Sequence, residues 1–400
     1  SNFKSTASLS TKNRNYTIYL PEGYYESNME YPVVYFLHGF GGDNNSYNAF
    51  HSSLNSMMAN GSIMEMIVVS ADGSTDVYEG SFYTNSILNG NYGDYIAFDL
   101  VNHIDENFST LAMREFRALS GHSMGGYGTF RNGLDHPEVF SSLAAHSGPI
   151  HLESLNNPFL INMVLIEAFF GPLEPNNGPI SLMLFGLSSA FSPNLDNPPW
   201  YVDLPMDNSG NIDWDVFAQW QAHDPYLLVE EHVSSLMTQN IYFDCGNQDE
   251  LQLAPHSEDM HNKLSDLGVS HTYAPYSGTH SGSIYSKLED SFQFHSNYFS
   301  SISWRKDQFM KSNRFHINIL WVLSMKFGEP VTGGNGHISK DICPFRTFVF
   351  QKKSKLDICP FLALNKTGYM PIFFKIFKKW IYAHLDICPL PPVGVEFSTT

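Results

Sequence analysis

A serine lies between closely spaced glycines in the stretch RALSGHSMGGYGTF, residues 117–130. Within it, GHSMG has the spacing Gly-x-Ser-x-Gly around Ser123, after an apolar run and before a helical pattern. A sharp turn from strand to helix needs glycines because side chains would crowd it, and it presents the hydroxyl at the helix N-terminus. The stretch therefore predicts a nucleophilic serine. The alternative is a glycine-rich loop with an incidental serine.

A neutral serine hydroxyl is a weak nucleophile and needs a base, which in such a sheet follows the serine and an acid in chain order. That order excludes the earlier histidines, His38, His51, His103 and His122. Of the later histidines, His256 and His261 fall in a helical pattern and His271 opens a strand, while His295 is expected on the surface of the last helix. His280 stands in SGTHSG, a glycine-flanked loop after a strand, and is the predicted base.

The acid is expected in the loop after the preceding strand, within FDCGNQDE, residues 243–250. Asp249 lies five residues past the expected strand end, whereas Asp244 is still in the strand and Glu250 is the second choice. A carboxylate there would hold the imidazole of His280 in the required tautomer and stabilise its cation. The alternative role for Asp249 is to cap the helix that follows.

An oxyanion formed during attack on a carbonyl needs two backbone N–H donors. Met124, directly after the serine, is the first predicted donor. The glycine-rich turn LHGFGGD, residues 37–43, ends an early strand and offers Phe40 as the second. The alternative is an ordinary turn at the end of a strand.

The elements around these residues alternate between strands and helices, which predicts a doubly wound, mostly parallel α/β sheet. An antiparallel edge strand is expected in 8–20, and buried strands in 31–39, 66–73, 116–120, 240–246 and 270–278. Helical patterns are expected after Ser123, in 95–108, around Met260, Leu264 and Leu267, and in 284–298. Residues 150–225, rich in Pro, Asn, Phe and Leu, interrupt this order and are predicted to form a cap over the carboxyl ends of the strands.

Charge divides the 400-residue chain into two parts. Residues 1–300 hold 8 Lys and Arg against 34 Asp and Glu, whereas residues 301–400 hold 14 against 6. Because residues 1–300 are so acidic, they are not expected to bind nucleic acid through its phosphates. In the basic part DICP recurs three times at unequal intervals, with three of the four cysteines, too far apart for a zinc knuckle. We expect 305–400 to be an unstructured or non-native extension, with a membrane- or partner-binding element at 371–385 as the alternative.

Several separated blocks together resemble one esterase family of the α/β-hydrolases. The blocks include LHGFGG, SGHSMGGYGTF, HPEVFSSLAAHSG, DCGNQDE and YSGTHSG, and the resemblance covers about residues 12–304. The family includes feruloyl and acetyl-xylan esterases, S-formylglutathione hydrolases and mycolyltransferases. The resemblance implies an α/β-hydrolase fold for 1–304, a triad of Ser123, Asp249 and His280, and an oxyanion hole at Phe40 and Met124.

The expected function is therefore a serine carboxylesterase that needs no metal or cofactor and acts on small or polymer-linked esters. Aromatic residues near the cleft and the cap are expected to bind substrate, namely Phe82, Tyr83, Trp200 and Trp220. The alternatives are an S-formylglutathione-type thioesterase, an acyltransferase, or a non-catalytic scaffold for carbohydrate or a protein partner. No run of apolar residues is long enough to span a membrane. The N-terminal residues predict that a signal peptide is absent or removed. A secreted or periplasmic location is expected, with a cytoplasmic one as the alternative.

Overall fold

A computed structural model describes residues 2–5, 12–303, 349–352 and 355–358. The chain divides into two units, residues 1–319 and 320–400. In the second unit, strands Val349–Lys352 and Lys355–Ile358 pair antiparallel. The rest of the predicted extension, including 371–385 and the cysteines of the DICP repeats, lies outside the described residues.

The first unit is built on an eight-stranded sheet with the order β1-β2-β4-β3-β7-β8-β9-β10. Its strands are β1 Asn2–Ser5, β2 Lys12–Tyr19, β3 Val33–Leu37, β4 Ile67–Ala71, β7 Arg117–His122, β8 Ser142–His146, β9 Asn240–Asp244 and β10 Thr272–Tyr273. A separate two-stranded ladder joins β5 Asn85–Ser86 and β6 Gly90–Asn91. Strands β4, β3, β7, β8, β9 and β10 run parallel, whereas β2 pairs antiparallel with both β1 and β4. The predicted doubly wound, mostly parallel sheet is therefore confirmed.

Helices follow most of the parallel strands. They are α1 His51–Ala59, α2 Tyr92–Asp94, α3 Val101–Asn107, α4 Met124–Asp135, α5 Pro158–Glu167, α6 Pro179–Phe191, α7 Trp214–Gln221, α8 Pro225–Leu228, α9 Val233–Leu236, α10 Ala254–Asp266 and α11 at 284–303. A π-helical turn, Tyr95–Leu100, connects α2 to α3. The helix predicted over 95–108 therefore begins with a wider turn.

Side chains of strand β3 alternate between two cores, as the pleat of a strand requires. Val33, Tyr35 and Leu37 face one core, which also contains residues of α3 and α4. Val34 and Phe36 face the other core, against residues of α1 and α11. Because both faces of the sheet are covered, its central strands are continuous apolar runs.

Two local expectations were wrong, and one strand was missed. Strand β2 is not at the edge of the sheet, because β1 pairs with it on the outside. Strand β8 was not predicted, since its sequence SLAAH is short and made mainly of small residues. Small residues suit this strand because α4 packs closely on it: a Cβ at Gly126 would lie 2.7 Å from the His146 carbonyl oxygen. His295, expected on the surface, is fully buried in α11, and its Nδ1 lies 2.8 Å from Ser142 Oγ.

Residues 150–225, called here the insertion, contain helices α5, α6 and α7 and two short 3-10 helices, Leu152–Leu155 and Pro175–Asn177. The described insertion contributes no strand to the sheet. It connects β8 to α8 and β9, so it leaves the sheet where β8 ends. Residues of α5 and α6 lie beside Ser123 at the carboxyl end of β7, the end of an open α/β sheet at which ligands bind.

Candidate active site

Ser123 occupies the turn between the end of β7 and the first residue of α4. Its backbone has φ 58° and ψ −117°, a conformation that non-glycine residues rarely adopt and that stores strain. The strain is held by two hydrogen bonds, from Ser123 N to the His146 oxygen at 2.8 Å and from Tyr127 N to the Ser123 oxygen at 3.0 Å. Side chains at Gly121 or Gly125 would collide with the backbone of Gly125 or of Leu37, respectively. The glycine spacing is thus required by packing.

His280 connects the hydroxyl of Ser123 to a carboxylate. Its Nε2 lies 2.8 Å from Ser123 Oγ, and its Nδ1 lies 2.7 Å from Asp249 Oδ2. A carboxylate only accepts hydrogen bonds, so Nδ1 carries the proton and Nε2 is free to accept the serine proton. The structure therefore brings together the three residues predicted from sequence.

Asp249 is held as an ionised acceptor. Its Oδ2 also accepts from Cys245 Sγ at 3.4 Å, and its Oδ1 accepts from Leu251 N at 2.8 Å. Burial by itself raises the pKa of Asp249, but the hydrogen bond and charge of His280 and the Leu251 N–H outweigh burial, so the pKa falls below its ordinary value. Glu250, the second choice for the acid, instead accepts from the backbone N–H of His280 at 3.0 Å.

A second histidine supports the first, and the sequence reasoning did not identify it. His122 Nε2 lies 2.8 Å from the carbonyl oxygen of His280, and His122 Nδ1 lies 2.8 Å from the Tyr47 hydroxyl. Since a carbonyl only accepts, Nε2 of His122 is the protonated nitrogen and Nδ1 accepts from Tyr47. Burial, with the nearby His280, lowers the pKa of His122 to about 3, so the ring stays neutral. The only sequence signal was the position of His122 next to the serine.

The turn after β3 lies against Ser123, as the predicted oxyanion hole requires. A Cβ at Gly39 would lie 3.4 Å from Ser123 Cβ, so the Gly39–Phe40 peptide is adjacent to the serine. His38 fixes this turn: its Nε2 accepts from Gly73 N at 2.9 Å and its Nδ1 donates to the Gly39 oxygen at 2.7 Å. Met124 is the first residue of α4, and its N–H therefore has no acceptor within the helix.

An apolar pocket of about 20 Å³, called here the Ser123 pocket, opens beside the hydroxyl. The body of the unit contributes Phe40, Phe82, Met124, Leu251 and Leu253 to its wall. The insertion contributes Leu155, Leu160, Met183 and Leu187. The insertion thus covers Ser123. A larger groove of about 620 Å³ between α1 and α11 is polar and contains none of the predicted site residues.

The four aromatic residues predicted to bind substrate have different positions. Phe82 lines the Ser123 pocket. Tyr83 does not, because it is fully buried and its hydroxyl donates to the His38 oxygen at 3.0 Å. Trp200 packs against Phe185 outside this pocket. Trp220 lines a neighbouring cavity within the insertion.

Neither a metal site nor a membrane-spanning helix is found in the described part of the chain. Within it, no three or more His, Cys, Asp or Glu side chains are grouped so that they could hold a metal ion. None of the helices in that part is long and apolar enough to cross a membrane.

Comparison with known proteins gives a family and curated relatives. A family model described as "Putative esterase" matches residues 7–288. An esterase of Mycobacterium tuberculosis is 30% identical over 144 residues, which are 35% of this chain and 30% of the relative. An endo-1,4-beta-xylanase/feruloyl esterase of Xylanibacter ruminicola is 30% identical over 175 residues, which are 41% of this chain and 23% of the relative. The matches thus span less than a third of the length of these relatives.

Solved structures give the fold. A ferulic acid esterase has a TM-score of 0.54 at 18% identity, covering 75% of this chain and 97% of that one. An S-formylglutathione hydrolase from Agrobacterium tumefaciens has a TM-score of 0.51 at 17% identity, covering 74% and 94%. The predicted α/β-hydrolase fold is therefore confirmed. The family model described as "Putative esterase" matches well over half of this chain, so the chain belongs to that esterase family.

Proposed function

We propose that the protein is a serine carboxylesterase that works through an acyl-enzyme. The observation that carries this proposal is the continuous hydrogen-bond relay from Ser123 through His280 to Asp249, with distances of 2.8 and 2.7 Å. Membership of the esterase family supports an ester as substrate.

In the first half of the reaction, His280 Nε2 takes the proton of Ser123 as the hydroxyl oxygen attacks the ester carbonyl. The carbonyl oxygen becomes an oxyanion next to the Phe40 and Met124 N–H groups, whose dipoles stabilise it. Asp249 stabilises the imidazolium that forms. The intermediate then breaks its bond to the alcohol oxygen, which leaves with the proton from His280.

In the second half, water replaces the alcohol. His280 takes a proton from the water, the oxygen attacks the acyl carbon, and the bond to Ser123 breaks with return of the proton to Oγ.

Replacement of the nucleophile tests the proposal. We expect Ser123→Ala to lower kcat/KM on p-nitrophenyl acetate by at least about 10³-fold, because the remaining groups only bind and polarise the ester. Ser52→Ala, on the exposed face of α1, is the matched control and should keep wild-type activity. A fluorophosphonate probe should label the wild-type protein at Ser123. More than a tenth of wild-type activity in Ser123→Ala would refute the mechanism.

Three substrate tests separate the alternatives. Turnover of S-formylglutathione well above that of p-nitrophenyl acetate would indicate a thioesterase. Diversion of the acyl group to an added alcohol would indicate a transferase. An absence of both labelling and turnover would indicate a scaffold without catalysis.

A further inference from the structure

A second apolar cavity lies directly behind the Ser123 pocket. This cavity, called here the insertion cavity, has a volume of about 60 Å³. Four side chains line both spaces: Leu155, Leu160, Met183 and Leu187. The two cavities are therefore separated by one layer of side chains, all of them from the insertion.

This shared wall is made of side chains that can move. Met183 is unbranched with three rotatable bonds, so it changes shape at low cost. It lies on α6, and Leu155 and Leu160 lie on two other elements, so no single rigid helix forms the wall. A rotation of Met183 and its neighbours would join the two spaces.

We assign the Ser123 pocket to the acyl side of an ester that reacts at Ser123. It is lined by Ser123 and by Met124, one of the proposed oxyanion donors, but not by His280. His280 gives its proton to the departing alcohol, so the alcohol lies on the histidine side. The group attached to the carbonyl carbon is the one that points into the Ser123 pocket.

Size limits what this pocket holds while the wall is closed. A volume of about 20 Å³ accommodates little more than one water-sized group, which suits the methyl group of an acetyl ester. A longer acyl chain has no space unless it passes the shared wall into the insertion cavity.

The lining of the insertion cavity selects for an aliphatic chain. Apart from its shared wall it is formed by residues such as Val164, Ile180, Leu184 and Phe217. Asn156 is its only lining residue with a polar amide. The indole N–H of Trp220 donates to Ser192 Oγ at 3.0 Å and is not free for a ligand. A phenolic hydroxyl on an acyl group would lose its bonds to water there without replacement, which is costly.

We propose that the insertion cavity is the binding site for linear, saturated acyl chains longer than acetyl, and that it opens to the Ser123 pocket when the shared wall moves. This inference rests on the proposed esterase function. It gives the preferred substrate class as esters of aliphatic acids rather than of hydroxycinnamic acids.

A chain-length series tests the proposal on the full-length protein. We expect kcat/KM to rise from p-nitrophenyl acetate through butyrate and hexanoate to octanoate, by up to about fourfold for each methylene buried. Methyl octanoate should also be preferred over methyl ferulate. A profile that falls steadily after acetate, or a preference for the ferulate, would overturn the proposal.

Substitutions of Leu184 locate the effect. Leu184 lines the insertion cavity but not the Ser123 pocket. Leu184→Phe should lower the octanoate-to-acetate ratio of kcat/KM at least about tenfold, the loss of about two buried methylenes. Leu184→Ala should raise that ratio. It provides the test if Leu184→Phe does not fold. The matched control is Leu111→Phe, at a partly buried position packed against the core on the other face of the sheet, which should leave the ratio unchanged.

These results are distinct from those that test the esterase mechanism. Activity that survives Ser123→Ala refutes the mechanism. An active, Ser123-dependent enzyme whose acyl-chain ratio does not respond to either Leu184 variant refutes only the role of the insertion cavity.

Discussion

Replacing Asp249 by Asn changes one carboxylate oxygen into an amide NH₂ group, and the structure determines which one. Leu251 N–H donates to Oδ1 at 2.8 Å, so the amide oxygen has to remain at that position. The NH₂ group then takes the place of Oδ2 and faces His280 Nδ1, which lies 2.7 Å away. An NH₂ group donates, so Nδ1 becomes the acceptor and the proton moves to Nε2. A protonated Nε2 cannot accept the proton of Ser123.

The expected cost is large because the variant both reverses the tautomer and removes the charge that stabilises the imidazolium. For a triad with this exchange, kcat falls by about 10⁴, which corresponds to about 5.4 kcal/mol of transition-state stabilisation. Steady-state hydrolysis of p-nitrophenyl acetate at neutral pH measures this loss, with the thermal midpoint as a check on folding.

Glu250→Gln is the matched control, because it removes a neighbouring carboxylate that contacts only the backbone N–H of His280. An amide oxygen can still accept from that N–H, so we expect less than about a tenfold loss. A loss of less than tenfold in Asp249→Asn, or a greater loss in Glu250→Gln than in Asp249→Asn, would show that the relay is not arranged as described.

Two further predictions concern the surroundings of the relay. Tyr47→Phe removes the donor to His122 Nδ1 and frees His122 to change tautomer. Because about 1 kcal/mol is lost from a group that positions His280, kcat should fall about five- to tenfold with little change in KM. A fall in kcat/KM of the same size that comes entirely from a higher KM would contradict this role. Stability should also fall as the pH drops below about 6.5, because burial lowers the pKa values of His122, His256 and His295 to about 3 in the folded protein. Between these values the unfolded chain binds protons that the native protein does not, which costs up to roughly 1.4 kcal/mol per pH unit for each histidine. The thermal midpoint should therefore decrease by several degrees from pH 6.5 to 5.5, before most carboxylates titrate; a constant midpoint over that range would contradict the prediction.

The sequence carried enough information to find the relay residues because each depends on a local pattern. Glycines at 121 and 125 are needed by the backbone of the turn itself, and they are readable in any strand–turn–helix pattern. His280 and Asp249 were identified because each follows a strand in the chain order that this type of sheet requires. The short, continuous apolar runs likewise predicted most of the sheet.

Other features depend on residues far apart in the chain, and only the tertiary structure decided them. Tyr47 and His122 are 75 residues apart, and their contact with the His280 carbonyl has no local pattern. Strand β8 has small side chains because α4 packs closely on it, and the sequence SLAAH alone does not reveal this packing. Tyr83 is of a residue type that often binds substrate, but it is fully buried, and burial depends on what packs against a side chain. The conformation of a turn depends on neighbouring residues and can be predicted from them. The enclosure of a pocket depends on how distant segments pack together.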